Sequence, residues 1–109
     1  MIIFKANGKD YQLRMTTKAC VSCEKRLGKN PLNVFMEAQD NRMPKISDLM
    51  VILHEAMLTC NHNIKADDLF DIYDKYCEEG GDIVSLIQTL VEVFQEAGFI
   101  PKEDEDLKN

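Results

Sequence analysis

The side chains best suited to metal or nucleophilic chemistry in this 109-residue chain are four cysteines and two histidines. Cys20-Val-Ser-Cys23 is a CxxC, a spacing used by zinc sites and by thiol redox centres. A structural zinc needs four ligands. The other soft candidates are Cys60, Cys77, His54 and His62, and they form no second CxxC or HxxxH pair. A thioredoxin-like centre needs a βαβ setting, which the hydrophobic pattern does not offer. At spacing i, i+3 on an apolar helical stripe, both thiols read as small core residues. His54 and His62 have no Asp, Glu or Ser in a recognisable catalytic arrangement. There is no phosphate loop, nucleophile elbow or paired-carboxylate motif. The expectation is a non-enzymatic protein with no cofactor and no metal.

The elements that hold these residues are mostly helices. Ser47 to Cys60 (SDLMVILHEAMLTC) is apolar around most of a helical wheel. Only the stripe Asp48, Glu55, Thr59 and the lone His54 interrupt it, so it is the expected central helix. It is too short to span a bilayer. Residues 2–15 read as a β-hairpin, since Asn7-Gly8 suits a type I′ turn in which both residues need φ > 0. That turn places Phe4 opposite Tyr11 and Ile2 opposite Leu13.

Thr16 or Thr17 caps a helix running to about Leu27, with Gly28 as its left-handed end. Asn30-Pro31 starts a short helix, and QDNRMPK is a loop. A further helix covers roughly Ala66 to Glu79. Leu69, Phe70, Ile72, Tyr73, Tyr76 and Cys77 form its expected buried side, and Asp67, Asp71, Asp74 and Glu78 its acidic face. Asp82 caps the last helix, Ile83 to Ala97, and Gly98-Phe99 fits a Schellman ending. The fold class is mainly α (α+β), an N-terminal hairpin packed on about five helices. Residues 1–101 make one domain, and the charged 102–109 (KEDEDLKN) is an expected disordered acidic tail.

The net charge is −6 and the pI about 4.8. That disfavours nucleic acid and anionic membrane as partners. Without a secretory signal, the thiols read as reduced in a cytoplasm. The acidic face of the fourth helix reads as a solvated one. The last helix carries an apolar arc of about half its wheel, wider than one packing seam needs. Val84 and Val91 lie at one edge of that arc, Leu86 and Val93 at the other. Met50 and Met57 share a face of the central helix, and methionine both fills cores and lines adaptable grooves. These six residues are the expected partner-binding positions, for a helix or for a second copy of the chain.

The order of motifs resembles a known family. TTKACVSCEKRLGKNPL, then MPKISDLMVILHEAML, the Asn-His-Asn turn, and ADDLFDIYDKYCEEGGDIVSLIQTLVEVFQEAGF are similar to the tail assembly chaperones of long-tailed phages and prophages of Gram-positive bacteria. The resemblance covers residues 11 to 100. The CVSC segment is not a feature of that family. The resemblance implies a helical, non-enzymatic protein of the bacterial host cytoplasm. Such a protein binds the tape measure protein and keeps it soluble, then gives way as tail tube protein polymerises, and is absent from the finished virion. It also implies a longer form made by ribosomal frameshifting near the end of the chain. The competing readings are a small acidic helical regulatory or interaction protein, of the toxin–antitoxin binding type, or a CxxC zinc or redox module.

Overall fold

The computed structural model describes residues 1–101; the expected tail lies outside the described residues. Strand β1 (Ile2–Ala6) and strand β2 (Lys9–Leu13) form an antiparallel hairpin, followed by helices α1 (Thr17–Leu27), α2 (Pro31–Gln39), α3 (Ile46–Leu58), α4 (Asp68–Glu78) and α5 (Ile83–Ala97). The hairpin has the register its turn dictates, Phe4 against Tyr11 and Ile2 against Leu13. Asn7 and Gly8 have φ of 54° and 74°, as a type I′ turn requires. The Asn7 N–H donates to both carboxylate oxygens of Glu79 at 3.0 Å, which ties the turn to the end of α4.

Local capping sets the helix boundaries. The Thr16 hydroxyl accepts from the Ala19 N–H, and Gly28 closes α1 in the left-handed region. Asn30 caps α2 with Pro31 at its first turn. Asp82 accepts from the Ser85 N–H at 2.8 Å, and that bond holds its carboxyl below the usual carboxylate range. At the end of α5 the Phe99 N–H reaches the Phe94 carbonyl at 2.9 Å. The two rings then sit 6.0 Å apart, centroid to centroid. This is the Schellman ending with its apolar contact.

The central helix α3 is enclosed on nearly every side. Eight of its residues are buried, including His54 and Glu55. It packs against α1, α2, α4, α5 and β2. The hairpin lays Phe4, Ala6 and Leu13 over this core, and α5 inserts Leu86, Leu90, Val93 and Phe94 from the other side. Phe35 of α2 meets Phe94 edge-on at 5.3 Å.

The polar stripe of α3 is largely covered. Asp48 is covered by Lys29 of the α1–α2 connection, and Glu55 by Arg26 of α1. Ionic partners make these carboxylates tolerable at an interface that the apolar count alone would leave open to solvent. The buried side of α4 is narrower than its apolar residues suggest. Leu69 is buried and Ile72, Tyr73 and Tyr76 are partly covered, but Phe70 is 63 % exposed and Cys77 is exposed. The helix meets the hairpin through β1, with Tyr76 stacked on Phe4 at 4.5 Å.

Candidate functional site

Cys23 is fully enclosed in the core and Cys20 is partly covered. Burial pushes the Cys23 thiol up to about 12, reinforced by the nearby Glu55 carboxylate, and burial raises Cys20 as well. A metal ligand or a redox nucleophile must be a thiolate, and both environments oppose its formation. Among the described residues no three His, Cys, Asp or Glu side chains converge as metal ligands would.

His54 sits in a polar cluster across the α1–α3 interface. Its Nε2 lies 2.8 Å from the Ile64 carbonyl oxygen and its Nδ1 lies 3.0 Å from Arg26 Nη1. A carbonyl only accepts and a guanidinium only donates, so the ring fits as the Nε2–H tautomer with both nitrogens engaged. Arg26 Nη1 also donates to Glu55 Oε2 at 2.8 Å, and the Ser22 hydroxyl donates to the same oxygen at 2.8 Å. Ser22 and Glu55 reach a cleft of about 380 Å³ that His62 and Thr59 also line. Ser22 and His54 do not pair with each other, because Ser22 donates to Glu55 while His54 is engaged by Arg26 and Ile64. The cluster is an adhesive between α1, α3 and the α3–α4 loop.

The six expected partner-binding residues separate into two groups. Leu86 and Met57 are fully enclosed, Val93 is 1 % exposed and Met50 is 7 % exposed. These four are core residues and offer no surface to a partner. The second edge of the α5 arc, Leu86 and Val93, is occupied by the protein's own interior. Val91 is half-buried against the core. Val84 alone is open, at 54 % exposure.

Val84 does not stand in isolation. It forms one wall of a groove of about 320 Å³ with Ala38, Asn41, Arg42, Met43, Ile87 and Gln88. The volume is at the low end of pockets that hold ligands. Met43 forms part of the opposite side and is itself 62 % exposed. The turn after α2 shapes this wall. Asn41 takes a left-handed conformation with φ of 62°, and the Arg42 N–H folds back to the Glu37 carbonyl at 2.9 Å. Sequence periodicity finds Val84, since an apolar residue at the edge of a helical arc is a legible signal. It does not find Met43, which reaches the groove through the irregular loop after α2, or Ala38 in the last turn of α2.

No curated protein and no solved structure matches the chain. A family model does match, across residues 5–108. The chain belongs to that family, a family of unknown function (DUF6096).

Proposed function

We propose that the protein is a tail assembly chaperone that holds an apolar helical stretch of a phage tape measure protein and keeps it soluble until the tail tube polymerises. The observation that carries the reading is the groove between the α2 turn and α5, with Val84 and Met43 exposed on its two sides. A helix laid in a groove buries an apolar face that would otherwise aggregate. The groove is small, about 320 Å³, so the grip yields when a growing tube offers the tape measure a larger surface. The motif order over residues 11 to 100 supports the same reading, because it resembles that of the tail chaperones. On this account the protein works in the cytoplasm of the bacterial host, meets the tail tube protein during displacement, and is left out of the virion.

The test is co-expression with the product of a neighbouring long, coiled-coil-rich reading frame. The reading predicts that this product appears in the soluble fraction only when the protein is present and that the two co-purify. A tape measure fragment that aggregates equally with and without the protein overturns it. A small regulatory module then becomes the better account.

A further inference from the structure

We propose that the α2–α5 groove selects a helix carrying a single carboxylate beside its apolar contact, and that Arg42 reads that carboxylate. The inference rests on the reading of this groove as a docking site and names the chemistry of its occupant.

Arg42 is the one charged side chain among the residues that line the groove. It is a local cation on a chain of net charge −6. Its backbone is held in place by the turn, through the Arg42 N–H bond to Glu37 and the left-handed Asn41. Its side chain is held far less. Among the described residues the guanidinium makes one polar contact, Nη2 to Asp40 Oδ2 at 3.3 Å, and the two side chains are 71 % and 66 % exposed. A guanidinium has five N–H donors in a planar fork that matches a carboxylate two bonds at a time. Among the described residues most of those donors have no partner, and Asp40 occupies the fork as an exchangeable placeholder.

The apolar part of the groove, Ala38, Met43, Val84 and Ile87, offers a surface to a pair of aliphatic side chains on the occupant, which on a helix lie one turn apart. An Asp or Glu next to that pair then meets Arg42. The overall negative charge of the chain repels a helix that is acidic along its length. The matching partner is therefore an amphipathic helix, neutral or basic overall, with one acid at the contact.

Two synthetic helices test this, identical except that the residue flanking a Leu pair is Glu in one and Lys in the other. Binding to the whole protein is read by fluorescence anisotropy. The Glu helix binds about tenfold more tightly than the Lys helix. Arg42→Glu reverses that order, and Arg42→Ala removes it. Asp40→Asn tightens the Glu helix by about two- to fivefold, the scale of one exposed ion pair. Arg42 and Asp40 are both exposed, so circular dichroism of the variants stays that of the parent. Equal affinity for the two helices overturns the inference, as does failure of both to bind or indifference to Arg42→Glu. Capture of a tape measure fragment that ignores Arg42→Glu would remove this inference and leave the chaperone reading standing. Discrimination between the helices without tape measure capture would do the reverse.

Discussion

Arg26 Nη1 and Glu55 Oε2 meet at 2.8 Å across the α1–α3 interface, where the Glu55 side chain is only 9 % exposed. The same guanidinium nitrogen bonds His54 Nδ1. Removing Arg26 leaves a carboxylate enclosed with Ser22 as its remaining hydrogen-bond donor. We predict that Arg26→Ala destabilises the fold by about 2–3 kcal/mol, below the full value for a deeply buried pair because Arg26 itself is partly exposed. Glu55→Gln keeps the shape and loses less. Denaturant midpoints at constant slope measure both, and an Arg26→Ala midpoint equal to that of the parent contradicts the assignment.

Gly81 lies under the Tyr76 ring. A Cβ on residue 81 would sit 2.4 Å from the ring carbons, and that ring stacks on Phe4. Gly81→Ala therefore pushes Tyr76 off the hairpin and costs about 1–3 kcal/mol, the range for overpacking. In a Tyr76→Ala background most of that cost disappears, because the obstructing ring is gone. Additive effects of the two substitutions would show that the contact is not the cause.

The cysteines give a prediction in pH and one in metal. Burial raises the Cys23 thiol from 9.0 to about 12. The folded state therefore holds its proton at pH values where the unfolded chain has lost it. This contribution is complete below about pH 9 and is lost as pH rises toward 12. Tyr73, raised from 10.0 to about 12 chiefly by burial, acts in the same direction over the upper part of that window. Stability should fall from about pH 9 upward, and Cys23→Val should flatten the lower part of the fall. Chelators should leave the melting temperature unchanged, and Cys20→Ser with Cys23→Ser should lower it through lost packing alone. Stoichiometric zinc with unfolding on chelation would refute this.

Much of the fold was legible because local chemistry and hydrophobic period agree. Asn7-Gly8 set the hairpin register, Asn30-Pro31 and Asp82 started helices where caps are wanted, and Gly98-Phe99 ended α5 as its glycine demands. Less legible was which apolar residues face inward. Leu86 and Val93 read as a free edge of α5 but are core, since α3 and the hairpin cover more of α5 than one seam. Phe70 read as core but is exposed, since the packing of α4 against β1 and α3 leaves that side of the helix uncovered. Period gives the apolar arc of a helix, and tertiary packing decides how much of it is covered. The Arg26–Glu55–His54 cluster was out of reach for a related reason. Its members are 28 and 29 residues apart and meet only once α1 lies on α3.

The central claim is that the exposed Val84 wall holds the tape measure, and the Val84→Lys variant tests it most directly. Val84 is 54 % exposed, so a lysine there keeps its charge in water and the fold intact. Val91 is packed against the core, so changing it as well would confuse binding with folding. The measurement is the soluble fraction of a co-expressed tape measure fragment with the parent chain and with Val84→Lys, each checked by circular dichroism and thermal melting. The account predicts an unchanged helical signal and melting temperature, together with loss of most of the soluble, co-purifying fragment. A folded Val84→Lys protein that solubilises the fragment as well as its parent would contradict it.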